Sequence, residues 1–312
     1  MGKENRKNKI EKNKVVKQKK TFRKRMHDLR ERIRINAFLM PSLIGVLLFF
    51  VVPFGVVVYY SVIDNPIHME FVGIENFVRV FKNFAFKQAA MNTLKFSFMA
   101  VPLAVLLSLL LAILLDESIP MRSQFRTAFL TPMMVPVASV VLIFQVLFHN
   151  NGAINRMLAA IGGNPTDWLK SDMAIYVILI LFLWKNLGYN MILFLAALNN
   201  IPKDIIEVAE LESAGTFTIF MRIKLRYLSP TLMFVTIMSL ISSFKVFREI
   251  YLLSSDHPVD SLYMLQHFMN NTFNSLDYQK LSAAAVVMAL VMVVIIALLF
   301  MAEDWFGKDV EG

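Results

Sequence analysis

The chain has 312 residues, of which 57% are hydrophobic and 18% are charged, and its formal net charge is +9. A soluble domain usually has about 45–50% apolar and about 25% charged residues. The composition therefore excludes an ordinary soluble enzyme and a disordered protein, and it favours a membrane protein with several spans. The sequence has no cysteine, which excludes disulfides, thiolate metal sites and cysteine nucleophiles.

The positive charge is concentrated in the N-terminal segment, residues 1–36, which holds 15 Lys and Arg residues against 4 acidic ones. This segment is too long and too charged for a secretory signal peptide. A basic run of this kind is typical of a solvated cytoplasmic tail that contacts anionic lipid. Because it has few aromatic side chains to stack on bases, we expect no binding to nucleic acid.

Six apolar segments follow, and each is long enough to cross the hydrocarbon core, which needs roughly 20 helical residues. They are too apolar and too uniform for strands of a membrane barrel, so we expect helices. The segments comprise residues 37–60, 94–115, 127–148, 174–198, 231–253 and 283–302. They divide the chain into the basic tail, a six-helix transmembrane domain over residues 37–302 and a C-terminal tail over residues 303–312.

The distribution of Lys and Arg predicts how these helices are oriented. With the N-terminus inside, the inside segments carry 22 Lys and Arg residues and the outside segments carry 6. Because short cytoplasmic segments hold an excess of positive residues, we expect both termini to be cytoplasmic.

Side chains suited to catalysis are scarce in the predicted spans. The five histidines all lie outside them, which leaves an intramembrane Ser–His hydrolase or a His-built metal site without its residues. The sequence also contains no G-x-x-x-x-G-K-[ST] phosphate-binding loop. We therefore expect neither catalytic residues nor a bound metal or cofactor.

The inside loop between the fourth and fifth spans, residues 199–230, is long and combines charged with apolar residues. Asp204 and Glu207 have the spacing of a capping box, and Gly215 fits a helix stop, so the sequence predicts a short helix between them. Its apolar side chains form one helical stripe, at Ile205, Val208, Ala209, Leu211 and Ala214. Such a helix either lies on the bilayer surface or docks into a groove of a soluble partner.

This loop resembles the cytoplasmic EAA loop of ABC importer permeases, whose pattern is E-A-A-x-x-x-G-x(9)-I-x-L-P. Four residues match at the correct separations, namely Glu207, Ala209, Ile223 and Leu225. Three positions depart from the pattern, with Val208 in place of an Ala, Ser213 in place of the Gly and Arg226 in place of the Pro. We expect Gly215 to supply the turn in place of the missing Gly.

Stretches along the rest of the chain resemble the sugar-transporter branch of these permeases, the maltose and glycerol-3-phosphate type. They are FVGIENF at 71–77, RTAFLTP at 126–132, NNGAIN at 150–155 followed by Trp168, FLAALNNIP at 194–202 and SFKVF at 243–247. The resemblance covers residues 37–302. It implies an all-α membrane protein with six transmembrane helices and the type I ABC importer permease (MetI-like) fold.

The resemblance also implies the translocation subunit of an ATP-driven sugar importer in a prokaryotic plasma membrane. In such importers two permease subunits form the pathway, two cytoplasmic ATPase subunits hydrolyse ATP, and an external solute-binding protein delivers the substrate. The EAA loop transmits movement of the ATPase to the membrane helices. The residues expected to couple the subunits are Glu207, Ala209, Glu212, Ser213, Gly215, Ile223 and Leu225.

Polar residues inside the fourth and fifth spans are candidates for the substrate pathway. A mid-membrane Lys such as Lys185 costs about 2.5–3.5 kcal/mol to insert and normally faces the bundle interior or a watery cavity. Hydroxyl, amide and ring groups suit a sugar, although the same groups also bond helices to one another. The candidates are Lys185, Asn186, Tyr189, Asn190, Ser239, Ser242, Ser243 and Lys245. Glu249 has the i,i+4 spacing to pair with Lys245, which is a purely structural alternative.

Two questions stay open at this point. The expected substrate is an oligosaccharide, but two intramembrane lysines also suit glycerol-3-phosphate or a related polyol phosphate. A function of another class, a membrane sensor or scaffold that does not transport, needs no ATPase-docking helix. The loop at 199–230 therefore distinguishes a transporter from a scaffold.

Overall fold

A computed structural model describes residues 38–116, 121–254 and 258–307. This part of the chain is helical apart from turns and one isolated antiparallel bridge between Ile63 and Phe71. The chain forms two compact units, Met1–Tyr59 and Tyr60–Gly312. The basic tail predicted for residues 1–36 lies outside the described residues.

In the first unit, the described residues belong to α1 (Phe38–Ser61), which ends in the second unit. α1 has 24 residues and a mean hydropathy of 2.5, which is enough to cross a membrane. A π-helical turn at Leu47–Val51 comes just before Pro53. Proline lacks an N–H and its ring crowds the carbonyl four residues earlier, so a widened turn at this point has a local cause.

The second unit supplies the remaining described helices. In chain order they are α2 (Glu75–Lys82), α3 (Phe84–Asp116), α4 (Arg122–Met134), α5 (Val137–Leu147), α6 (Ala153–Ala160), α7 (Ala174–Asn199), α8 (Lys203–Leu211), α9 (Thr216–Ile219), α10 (Leu225–Phe244), α11 (Phe247–Ser254), α12 (Leu265–Asn274) and α13 (Tyr278–Gly307). A π-helical turn at Phe220–Lys224 joins α9 to α10, and a 3₁₀ turn at Asp260–Leu262 precedes α12.

Within the described ranges, five helical stretches are long and apolar enough to span a membrane, and the bent pair α4–α5 brings the number to six. They correspond to the six predicted segments. α3 begins at Phe84 rather than at residue 94, and its 33 residues extend about 50 Å at 1.5 Å per residue. Since the hydrocarbon core is only about 30 Å thick, part of α3 lies beyond it.

The third predicted span, residues 127–148, is not one helix. α4 and α5 are bent by 100° relative to each other at the break after Met134. Val135 is extended, with φ −82° and ψ 132°, and it precedes Pro136. The residue before a proline avoids the helical region because the proline ring crowds it, which explains the break. Pro132, in contrast, lies inside α4.

The fifth predicted span, residues 231–253, is also interrupted. α10 ends at Phe244, and Lys245 and Val246 separate it from α11. Hydrogen bonds between residues three apart close the turn, and one of them runs from the Arg248 N–H to the Lys245 carbonyl at 3.3 Å. The side chains of α11 are therefore not in register with those of α10.

The core of the second unit lies where α3, α7 and α10 pack together. Its buried apolar side chains include Val101, Val105, Leu109, Met191, Phe194, Leu228 and Val235. On the other side of α7, Gly188 lets α4 approach closely, because an added Cβ would lie 1.9 Å from the carbonyl oxygen of Phe129. Small residues at such crossings are typical of membrane helix pairs.

Polar side chains fix the loop before α12 to α3. The Asn92 amide donates to the Asp260 carbonyl at 2.6 Å and to the Tyr263 carbonyl at 3.1 Å. The Thr93 hydroxyl accepts a hydrogen bond from the Leu265 N–H at 2.8 Å. These bonds satisfy backbone groups of the loop, which explains why α3 extends beyond the hydrocarbon core.

A second polar group fixes the loop around α6. Asn155 is only 3% exposed, and its carbonyl oxygen accepts bonds from the Trp168 indole N–H at 2.8 Å and from the Thr166 N–H at 3.1 Å. Its amide donates to the Asn150 carbonyl at 3.0 Å. The motif residues Asn155 and Trp168 therefore stabilise this loop through hydrogen bonds in its interior.

Candidate functional site

The segment between α7 and α10 is held to the membrane helices by isoleucines on both sides of its exposed part. Ile201, just before α8, is buried in the core cluster, and Ile206 of α8 packs against the same cluster. Ile219 in α9 is also buried. α8 is thus anchored through one face.

The opposite face of α8 carries acidic and large apolar side chains. Glu207 and Glu210 are exposed, and the exposed fractions of Val208 and Leu211 are 55% and 86%. Phe217 in α9 is 72% exposed. Neighbouring apolar side chains that remain this exposed are typical of an interaction surface.

α8 ends in a Schellman motif in which Ser213 has a left-handed conformation. The Ser213 N–H donates to the Glu210 carbonyl at 2.9 Å, and the Ala214 N–H donates to the Ala209 carbonyl at 3.0 Å. The φ of Ser213 is +61°, in a region that glycine adopts most easily because it has no Cβ. Ser213 therefore has the conformation that the Gly of the EAA pattern suits.

Two predictions about the ends of α8 are wrong. Gly215 does not terminate the helix, because it has φ −67° and ψ 152° and is the N-cap residue of α9. Asp204 makes no capping bond, since α8 begins at Lys203 with Pro202 as its N-cap residue. The fixed φ of proline favours this earlier start, and Asp204 still lies in the first turn, where the helix dipole favours a carboxylate.

The other predicted coupling residues lie on both sides of this turn. They are half-buried Ala209, exposed Glu212, and half-buried Ile223 and Leu225. The π-helical turn that contains Ile223 is also tied to α3, because Lys224 Nζ lies 3.9 Å from a carboxylate oxygen of Asp116. The segment after α8 is therefore connected to two membrane helices.

An ion pair joins α7 to α11. Lys185 Nζ lies 2.5 Å from Glu249 Oε1, and the two side chains are 20% and 11% exposed. The structural alternative of a Lys245–Glu249 pair does not form in the described residues, since Glu249 pairs with Lys185 and Lys245 is exposed.

Three predicted pathway residues bond helices together. The Asn190 amide donates to the Ser239 hydroxyl at 2.9 Å, and both side chains are buried. The hydroxyls of Ser243 and Ser97 are 2.8 Å apart and also buried. This is the helix–helix bonding that the sequence left open as an alternative.

The remaining predicted pathway residues are more accessible. Asn186 is half-buried and donates to the Phe182 carbonyl of its own helix at 2.7 Å. Tyr189 and Ser242 are half-buried, and Lys245 is exposed. Of the eight candidates, these four and Lys185, whose side chain is 20% exposed, have surface that a substrate can contact.

Sequence reasoning missed three residues of this region. Ser97 is one serine in an apolar span, and nothing in the sequence points to its partner Ser243. Gly188 lies among polar residues of α7, where a glycine inside a helix is a signal of close packing. Arg248 is a charged residue inside the fifth predicted span, and the structure leaves it exposed.

The model of a protein family described as "Binding-protein-dependent transport system inner membrane component" matches residues 104–312, which is more than half of the chain. The chain belongs to this family. The matched region contains α8 and the ion pair between Lys185 and Glu249, so both features lie in the part that defines the family.

Several permeases with curated names are similar to this member of the family. The sn-glycerol-3-phosphate transport system permease protein UgpA of Pectobacterium atrosepticum is 29% identical over 81% of this chain and 88% of its own length. The arabinooligosaccharides transport system permease protein AraP of Bacillus subtilis is 27% identical over 84% of this chain and 85% of its own length. The lactose transport system permease protein LacF of Rhizobium radiobacter is 29% identical over 74% of this chain and 80% of its own length.

Solved structures show the same fold. A chain of a bacterial ABC transporter involved in the import of the acidic polysaccharide alginate has a TM-score of 0.77 and 22% identity, covering 88% of this chain and 96% of that chain. A chain of a bacterial alginate ABC transporter in complex with an alginate pentasaccharide-bound periplasmic protein has a TM-score of 0.76 and 22% identity. The predicted all-α permease fold is confirmed.

These comparisons establish the general role of the chain. It is a translocation subunit of a binding-protein-dependent ABC importer and lies in the inner membrane. ATP hydrolysis belongs to a separate subunit.

Proposed function

We propose that the chain forms one half of the pathway of an ATP-driven sugar importer and that α8 docks into the ATPase. The observation that carries this proposal is the exposed face of α8, with Glu207, Val208 and Leu211 outermost. A short amphipathic helix with apolar anchors suits a groove of a soluble partner.

The geometry of α8 favours a protein partner over a bilayer. A helix that lies on lipid turns its apolar face to the membrane and its charges to water. Here Ile206 already occupies the membrane-helix side, while apolar Leu211 and acidic Glu207 share the exposed part. A mixed acidic and apolar surface suits a groove with a basic residue.

The orientation that this function needs agrees with the charge pattern. Residues 199–230 and both termini are on the same side when the N-terminus is cytoplasmic, and that side carries 22 Lys and Arg residues against 6 on the other. α8 then faces the compartment that contains ATP.

The partners that we propose are a second, different permease subunit, two ATPase subunits and an external solute-binding protein. The alginate transporter whose chain shares this fold has been solved with a periplasmic protein, which supports the last of these. Membrane lipid surrounds the apolar exterior of the spans.

The substrate class that we propose is a sugar, most simply an oligosaccharide. The similar permeases are named for arabinooligosaccharides, lactose and glycerol-3-phosphate. These names include neutral and anionic compounds, so they support a sugar or polyol without fixing its charge.

Disulfide cross-linking tests the docking of α8, because the chain has no cysteine of its own. Leu211→Cys, at the most exposed apolar position of α8, is co-expressed with the other importer subunits and with a series of single cysteines in the ATPase. We expect a cross-link whose yield changes with ATP.

The control is a cysteine on the other side of the membrane. Met157→Cys on α6 is suitable because its side chain is 69% exposed, whereas Asn155 is buried and holds its loop together. Met157→Cys should give no cross-link to the ATPase. If Leu211→Cys gives none in a complex that copurifies with the ATPase, the docking proposal fails and a scaffold function gains support.

A further inference from the structure

One face of α11 carries two cations that the proposed docking function does not use. Lys245 precedes α11, Arg248 is in its first turn, and Tyr251 follows after three more residues. All three are exposed, whereas Val246 and Ile250 are buried. Arg248 and Tyr251 are three residues apart in one helix and lie on the same side of α11, and Lys245 precedes them in the turn before it. These three exposed residues form the stripe.

Neither cation is ion-paired with any residue that the structure describes. The one acidic residue next to them, Glu249, points to the buried side and is held by Lys185. The ion pair with Lys185 thus removes the carboxylate that Arg248 and Lys245 would otherwise attract. Their charge remains available for another group.

The ion pair also fixes how deep this stripe lies. Lys185 is about 17 Å along α7 from its first residue, Ala174, at 1.5 Å per residue. With the first residue of α7 placed at the edge of the hydrocarbon core, which is about 30 Å thick, this position is near the middle of the core. Arg248 is the sequence neighbour of Glu249, which contacts Lys185 directly, and it therefore lies at nearly the same depth.

Exposed cations at this depth do not face lipid, because a charge near the bilayer centre is costly and such residues line water-filled cavities or pair with other groups. The centre of a protein interface accepts Arg but is depleted in Lys, so it is Lys245 that argues against a contact with another subunit here. A watery pathway is the environment that remains.

We propose that Lys245 and Arg248 bind the negative charge of an acidic sugar, a uronate or a sugar phosphate, as it crosses the membrane. The planar guanidinium of Arg248 matches a carboxylate or phosphate in two-point geometry, and Lys245 adds a point charge. Tyr251 offers a ring next to them, with its centroid 5.4 Å from that of Phe247. The inference rests on the proposed function, since it assigns the substrate class of the same importer.

Charged thiol reagents measure the potential at this stripe without knowledge of the natural substrate. Ser242→Cys, three residues before Lys245 and half-buried, is introduced into the complete importer in proteoliposomes. The other subunits are cysteine-free, and the natural chain contributes none. The rates of modification by methanethiosulfonate ethylsulfonate and by its cationic trimethylammonium counterpart are then compared.

We expect the anionic reagent to be favoured. The ratio of anionic to cationic rates should fall by roughly fiftyfold in the double variant Lys245→Gln, Arg248→Gln, because two positive charges about 7 Å away in water attract one reagent and repel the other. The control, Lys245→Arg with Arg248→Lys, keeps the charge and should keep the ratio. An unchanged ratio in the Gln variant, or a thiol at position 242 that neither reagent modifies in the assembled importer, would overturn the proposal.

Protection by a sugar supplies the second readout. Glucuronate should slow the modification of the thiol in the Ser242→Cys variant more than glucose, which has the same ring without the carboxylate. The difference should vanish when Lys245 and Arg248 are both changed to Gln. Equal effects of the two sugars contradict the proposal.

The Leu211→Cys cross-link, measured in the same preparations, separates the two proposals. If that cross-link is present and the reagent ratio does not respond to charge, the acidic substrate is wrong and the importer function stands. If the cross-link is absent, the proposed docking function is wrong.

Discussion

Lys185 Nζ and Glu249 Oε1 lie 2.5 Å apart although the two residues are 64 positions apart in the sequence. The pair links α7 to the short helix α11, and because both side chains are mostly buried, little water is available to solvate either charge.

We expect Lys185→Gln and Glu249→Gln to destabilise the protein by about 3–5 kcal/mol each, because either change leaves an uncompensated buried charge. The double variant should cost less than either single change, since it leaves no charge behind. Thermal unfolding of the purified importer in lipid nanodiscs measures all three. Additive losses in the double variant would show that the two residues do not act as a pair.

Ser213→Gly should stabilise the end of α8 by about 1 kcal/mol, because Ser213 has φ +61° and glycine enters this conformation without a Cβ clash. Hydrogen exchange of the Ser213 and Ala214 amides, which close the turn, reports the change as slower exchange. Gly215→Ala is the matched control and should leave exchange unaltered, since Gly215 has an ordinary backbone and open space around it. Faster exchange in Ser213→Gly would contradict the assigned turn.

Gly188→Ala should destabilise the second unit by about 1–3 kcal/mol, because the added methyl would force α7 and α4 apart at Phe129. Detergent-resistant thermal unfolding and the yield of folded protein measure the effect. Gly55→Ala in α1 is the control, since nothing lies within 4 Å of its Cβ position. Equal stability of Gly188→Ala and the natural chain would disprove the close crossing.

Glu207→Lys should leave folding intact, because its side chain is exposed, and should uncouple ATP hydrolysis from transport. The reason is that a lysine in place of the carboxylate would repel the basic residue that docking requires. Substrate-stimulated ATPase activity of the reconstituted importer is the measurement. The same charge change at exposed Glu70, in the loop after α1, should have no effect. Normal stimulation in Glu207→Lys would remove Glu207 from the coupling surface.

The sequence predicts the spans well because hydropathy over 20 residues is a strong, local signal. The prediction fails where the conformation of one residue decides whether a helix continues or breaks. Pro132 and Pro136 look alike in the third span, yet α4 continues through Pro132 and breaks before Pro136. Whether neighbouring helices accommodate a proline depends on packing that the sequence does not state.

The candidate site is predictable in its position and less so in its contacts. The EAA pattern locates α8, but its ends are set by Pro202 and Ser213 rather than by Asp204 and Gly215. The partner of Lys185 could not be found from local spacing. That ion pair depends on the break between α10 and α11, which turns Glu249 toward α7.

The connections on both sides of α8 are short, which restricts how far α8 can move relative to its neighbours. Only residues 200–202 separate it from α7, and residues 212–215 separate it from α9. Ile201 and Ile219, one on each side, are buried in the membrane bundle. Because these connections are short, we expect a displacement of α8 to be passed on to α7 and, through α9 and the π-helical turn, to α10. We therefore expect the burial of Ile201 and Ile219 to determine how much of a movement of α8 reaches the membrane helices.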